Sequence, residues 1–174
     1  GMAAAFEEHG SIVTYGDIIF ALGIPLKIKS YNTLYNIARI VAPILLKLPF
    51  DMLYPTGKSQ EADSNNKFNK FFQEADIIAG DYLYIKKYMP DTLEGKIIIT
   101  NTITPSDIEE LSKRGVELLV TTTPELNGRS FGTNVMEAVI VALSGRNPEN
   151  MESKDFEQML DELGFRPRIE YLKG

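Results

Sequence analysis

The chain has 174 residues, 44% of them hydrophobic. That is enough for one α/β domain with a real core, since a chain of about 150 residues buries roughly 70% of its unfolded surface. Zero cysteines exclude disulfides, thiolate catalysis and cysteine metal sites, and suit a reducing, cytoplasmic setting. A formal charge of -6 without a clustered basic face argues against a nucleic-acid partner; the most apolar window, residues 37–50, carries Arg39, Pro43, Lys47 and Pro49 and falls short of the roughly 20 apolar residues a membrane span needs.

In chain order, residues 2–8 read as a helix closed by Gly10, at the position where helices favour a left-handed glycine. Residues 12–15 read as a short β-branched strand that ends at Gly16 and Asp17. Over residues 33–48, Leu34, Ile37, Ala38, Val41, Leu45 and Leu48 recur at helical spacing, with Pro43 placed to kink the helix. Phe68, Phe71, Phe72 and Ala75 form a second helical stripe. DIIAG at 76–80 and KIIIT at 96–100 are buried strands. Thr104 caps a helix with Pro105 in its first turn and Asp107 three residues past the cap. That helix stops at Lys113, Arg114 and Gly115, and a strand over 116–120 follows. Residues 135–143 form a helix that is apolar almost all round, Glu137 apart, and is either deeply buried or part of a subunit contact. The last helix, residues 153–163, is expected to bury Phe156, Met159, Leu160 and Leu163.

Aliphatic strands alternating with helices predict a single three-layered α/β domain around a mainly parallel sheet. In open α/β sheets, ligands bind outside the carboxyl ends of the strands. Here those ends are Gly16 and Asp17; Gly80, Asp81 and Tyr82; Thr100, Asn101 and Thr102; and Thr121, Thr122 and Thr123. Short hydroxyl and amide side chains admit a flat ligand and supply donors and acceptors. They are also ordinary turn chemistry.

VTTTPELNGRSFGTNVMEA, residues 120–138, adds an arginine between two glycines. Asn134 and Glu137 have the spacing of a reciprocal cap and are accounted for by a helix beginning at Val135. Arg129 and Ser130, with Gly132 and Thr133, stand before that helix, where a guanidinium and exposed amides hold phosphate or carboxylate. The structural alternative pairs Arg129 with a carboxylate such as Glu125. PTGKS at 55–59 lacks the first glycine of a Walker A loop and follows no strand. His9, the only histidine, sits at a helix end, where the dipole explains it. Lys58 reads as a solvated loop residue; with one histidine and no cysteine no zinc site is expected, although Asp and Glu could still gather Mg²⁺.

Taken as a dinucleotide-binding half, GMAAAFEEHGSIVTYGD supplies a first helix and second strand, with Asp17 where a ribose-binding carboxylate lies. The strand and glycine-rich loop of a Rossmann unit are expected before that point, so the reading is of a fragment or shortened form. The stretch ADIIAGDYLYIKKYMPDTLEGKIIITNTITPSDIEELSKRGVELLVTTTPELNGRSFGTNVMEA resembles the C-terminal half of a bacterial family labelled quinate/shikimate dehydrogenase-like, itself related in fold to the nucleotide-binding domain of glutamyl-tRNA reductase. TYGDIIFALGIP and LPFDMLYPTGKSQE resemble it too, and TTTPELNGRSFGTN is the most specific piece.

The resemblance implies a Rossmann-like domain that binds NAD or NADP and serves a dehydrogenase. Asp17 would meet a ribose hydroxyl, and Gly80 and Asp81 would line the crevice. Thr100, Asn101 and Thr102 with Thr121, Thr122 and Thr123 would flank the nicotinamide, and Arg129 and Ser130 would hold an anion. In characterised shikimate dehydrogenases the catalytic lysine and aspartate lie in a preceding substrate domain, so no catalytic residue is carried over. Two other readings stand beside this one: a non-catalytic module for an anionic small molecule, and a homo-oligomeric scaffold built on the 135–143 helix.

Overall fold

A computed structural model of the chain describes residues 2–16, 27–45, 47, 68–126, 129–130 and 132–172. The chain divides into two compact units: Gly1–Glu74 with Leu83–Pro90, and Ala75–Tyr82 with Asp91–Gly174.

In the first unit, α1 (Met2–Glu8) ends where Gly10 takes φ 80 and the Ser11 N–H reaches back to the Phe6 carbonyl at 3.0 Å. The His9 Nδ1 donates to the Ala5 carbonyl at 2.8 Å, satisfying one of the end carbonyls the helix itself leaves open. The strand expected at residues 12–15 does not form. Tyr15 makes one isolated antiparallel bridge to Ile28, and Ile12 is 93% exposed. A β-branched run without a neighbour to pair has no ladder to join. Tyr15 and Ile28 instead gather Ala3, Val13, Leu34 and Ile37 into a small core. The last two come from α2 (Tyr31–Leu45), which continues through Pro43; the expected end at Leu48 lies outside the described residues. Phe68 and Phe72 are buried at the start of and within α3 (Asn69–Glu74), and the Phe68 ring meets Tyr88 edge to face at 4.8 Å between centroids.

The second unit is α/β. Among the described residues it holds an open four-stranded sheet in the order β1 (Ile77–Ala79), β2 (Ile97–Thr100), β3 (Leu118–Thr121), β6 (Arg168–Tyr171). The first three run parallel, and β6 returns antiparallel on β3. Ile78, Ile98, Thr100, Leu119 and Thr121 turn to one face and are buried. Ile97, Ile99, Leu118 and Val120 turn to the other and are half-buried. Period-two alternation thus survives inside runs of pure aliphatics because the two faces are covered unequally. Helix α4 (Tyr82–Tyr88) follows β1, and its first residue, Tyr82, is 1% exposed. Burial, then the nearby Asp107 and Glu110 carboxylates, push the Tyr82 phenol far above its ordinary range, with Arg114 offsetting part of this.

Helix α5 (Pro105–Lys113) starts as its sequence predicts: the Thr104 Oγ1 accepts from the Asp107 N–H at 3.4 Å, and the Asp107 carboxylate accepts from the Thr104 N–H at 3.1 Å. Thr104→Ala is expected to cost about 1 kcal/mol, read as a lower urea midpoint at an unchanged m-value, with Thr104→Ser recovering most of it. After β3, a two-stranded hairpin of β4 (Glu125–Leu126) and β5 (Arg129–Ser130) leads to α6 (Thr133–Ser144), closed by Gly145 at φ 62.

Two expectations for this half are corrected. Helix α6 begins at Thr133 with Gly132 at its N-cap, so Asn134 lies inside the first turn and the reciprocal cap with Glu137 does not form. Helix α7 (Ser153–Glu162) leaves Phe156, Met159 and Leu160 only half-buried and Leu163 41% exposed, because it lies on the outside of the unit against α6. Its own start is a box between Glu152 and Asp155, and the Glu152 N–H at 2.9 Å, with Arg146 adding, holds the Asp155 carboxyl below the ordinary carboxylate range. Among the described residues no helix is long and apolar enough to cross a membrane.

Candidate functional site

Parallel pairing brings the carboxyl ends of β1, β2 and β3 to one edge of the sheet, and three threonines tie those ends together. The Thr100 Oγ1 donates to the Gly80 carbonyl at 2.8 Å. One strand over, the Thr122 Oγ1 donates to the Thr100 carbonyl at 3.1 Å, and the Thr123 Oγ1 to the Asn101 carbonyl at 3.2 Å. The Asn101 Oδ1 accepts from the Thr102 N–H at 2.6 Å. These residue types recur at the strand ends because carbonyls leaving a ladder need donors. The hydroxyl protons of Thr100, Thr122 and Thr123 are therefore committed to the backbone.

The hydroxyls of Thr121 and Ser130 are not. Thr121 is 0% exposed and Ser130 5% exposed, and neither the Thr121 Oγ1 nor the Ser130 Oγ has a hydrogen-bond partner among the described residues. Ser130 is held in place through its backbone, whose N–H donates to the Ile103 carbonyl at 3.2 Å just beyond β2. Leaving a hydroxyl buried and unpaired costs about 1–3 kcal/mol. Each such group in a folded protein calls for an explanation.

Next to Ser130, the start of α6 is bare. Gly132 supplies no side-chain cap, and a Cβ placed on it would lie 3.7 Å from the Thr102 Oγ1, which locates the first turn beside the end of β2. Thr133 is exposed. Gly80 faces open space, with nothing within 4 Å of the position a Cβ would take, and Asp81 beside it is half-buried. The start of α6 thus offers uncapped N–H groups beside Thr102, and Ser130, two residues before its N-cap, carries a buried hydroxyl without a partner among the described residues. This donor set suits a carboxylate, a phosphate or a primary amide.

Asp17 and the Arg129 side chain lie outside the described residues; the remaining predicted site residues, Gly80, Asp81, Thr100, Asn101, Thr102, Thr121, Thr122, Thr123, Ser130, Gly132 and Thr133, all belong to the second unit. Glu125, the internal partner weighed for Arg129, is bonded to Arg168. That arginine is the residue sequence reasoning misses. It stands opposite Thr121 in the β3–β6 register, so both side chains share a face. Its Nη1 pairs with Glu125, its Nε lies 3.0 Å from the Glu170 carboxylate, and its Nη2 is buried without a hydrogen-bond partner among the described residues. The signal was the polar–apolar alternation of Arg168, Ile169, Glu170 and Tyr171, four residues too short to stand out. Among the described residues no group of three or more acidic or imidazole side chains is placed to hold a metal ion.

Residues 1–172 match the family model described as Domain of unknown function (DUF8754). The chain belongs to the DUF8754 family. Since the match takes in the sheet, the hairpin and α6 together, the strand-end threonines and the bare helix start are parts of a DUF8754 domain rather than an appended segment. No curated protein and no solved structure matches this DUF8754 chain.

Proposed function

We propose that this chain is the small-molecule-binding, Rossmann-like half of a quinate/shikimate-type dehydrogenase, with NAD or NADP along the carboxyl edge of its parallel sheet and an anionic group at the start of α6. The observations that carry this reading are the buried hydroxyls of Thr121 and Ser130, without hydrogen-bond partners among the described residues, and the uncapped start of α6. Departures from full polar satisfaction cluster where a protein works. The donors available fit the amide, carboxylate or phosphate end of such a ligand, and nothing lies within 4 Å of the position a Cβ on Gly80 would take. Bound there, the nicotinamide would supply hydride chemistry, while the chain's own residues would orient it and hold its charge.

A second reading, a non-catalytic module for a small anion, is favoured by one observation. The hydroxyls of Thr100, Thr122 and Thr123 already serve backbone carbonyls and have no proton to offer a nucleotide, whereas the start of α6 carries no side-chain cap. A thermal-shift series with NAD, NADH, NADP, NADPH, inorganic phosphate and a polyol carboxylate separates the two. A ligand at about a hundred times its Kd stabilises the native state by roughly 2.7 kcal/mol, well within reach of the measurement. Stabilisation by a nicotinamide nucleotide that Ser130→Ala removes supports the dehydrogenase reading. A response to phosphate or carboxylate alone supports the anion module, and no response to any of them overturns both.

A further inference from the structure

Strand β6 stands last in the sheet, and among the described residues no strand pairs with its outer edge. The Leu172 N–H donates to the Glu117 carbonyl at 3.0 Å, which fixes the parity of the ladder. Glu170 and Arg168 turn their backbone groups inward to β3, and Ile169 and Tyr171 turn theirs outward. The side chains of those outward-facing residues are apolar and 61% and 75% exposed. Soluble proteins usually blunt such an edge with charge, a bulge or a covering element, because unpaired N–H and C=O groups beside apolar side chains invite another strand.

We propose that a second copy of this chain pairs with β6 about a two-fold axis through Ile169, joining two four-stranded sheets into one. The sequence Pro167, Arg168, Ile169, Glu170, Tyr171 is self-complementary when laid antiparallel on itself with Ile169 at the centre. Arg168 of each copy falls opposite Glu170 of the other, Ile169 opposite Ile169, and Tyr171 opposite Pro167. On one face the charges alternate in sign. The Arg168–Glu170 pair already present within each chain at 3.0 Å becomes half of a four-charge cluster. On the other face Ile169 and Tyr171 extend the apolar row that Val120 and Leu118 begin, since those are their register partners on β3. The outward parity matches this axis: the two Ile169 residues exchange a pair of backbone hydrogen bonds, and each Tyr171 N–H meets a Pro167 carbonyl, so the missing proline N–H loses little. Moving the axis to Glu170 would set two like charges against each other. An isologous contact of this kind closes on itself and stops at two copies.

The inference stands apart from the ligand reading and is tested by mass. Light scattering over a dilution series should give a species of twice 19.5 kDa that dissociates on dilution. Ile169→Lys and Ile169→Pro should both yield monomers at an unchanged melting temperature extrapolated to low concentration, because the Ile169 N–H is not part of the β3 ladder. Since the chain has no cysteine, Ile169→Cys should cross-link to a dimer under mild oxidation and Tyr171→Cys should not. A monomer at every concentration overturns the proposal. So does a dimer that survives both Ile169→Lys and Ile169→Pro, or one that cross-links through Tyr171→Cys in preference to Ile169→Cys.

Discussion

Leu119→Ala is expected to lower stability by about 2–5 kcal/mol, a large part of the roughly 5–15 kcal/mol that holds a typical domain together. Leu119 is 0% exposed at the centre of β3, with Ile98 beside it on β2 and Glu170 beside it on β6. Truncation removes the transfer energy of the lost methyl and methylene groups and leaves a cavity that a strand hydrogen-bonded on both sides cannot collapse. Urea denaturation followed by tryptophan-free probes, such as far-ultraviolet circular dichroism, reads it as a lower midpoint. Ile12→Ala provides the contrast. At 93% exposure it should change stability by no more than about 0.5 kcal/mol. An Ile12→Ala effect as large as that of Leu119→Ala would place the core elsewhere.

Thr121→Val should move the two properties of the site in opposite directions. The substitution keeps the shape and replaces an unpaired buried hydroxyl with a methyl group, so the free protein gains about 1 kcal/mol. If the hydroxyl waits for a ligand, the same change weakens or abolishes the thermal shift described above. Thr100→Val, one strand over at an equally buried position, loses its bond to the Gly80 carbonyl and should instead destabilise by about 1 kcal/mol. A Thr121→Val protein that is less stable than the parent would mean that the hydroxyl has a native partner and that the site argument fails at its base.

How much of this was legible depends on where each element finds its stabilisation. KIIIT could be read because Ile98 and Thr100 are buried in a sheet whose neighbours are equally aliphatic, and the α5 start could be read because Thr104 and Asp107 satisfy each other locally. Ile12 to Tyr15 has the same β-branched look, but pairing is a long-range property, and only Tyr15 finds a partner. Asn134 and Glu137 have cap spacing, yet the helix starts earlier, with Gly132 as an N-cap that makes no side-chain bond. Residues 135–143, expected to be either deeply buried or part of a subunit contact, are not deeply buried as a whole: Met136 and Ile140 turn inward while Val135, Val139 and Leu143 remain exposed. For the site, the threonine positions were visible in the sequence, but which hydroxyls are spent and which are spare was not, since that depends on carbonyls in neighbouring strands. Arg168 arrives from β6, 47 residues after Thr121 in the chain and directly opposite it in the sheet.

The threonine bonds that stitch Gly80 to Thr100, Thr100 to Thr122 and Asn101 to Thr123 make the rim of the sheet stiff before anything reaches it. A guest settling on that rim would find its backbone already ordered and would sacrifice little chain entropy on arrival. Were a ligand to bind there, a rim set in advance would let few contacts hold it tightly.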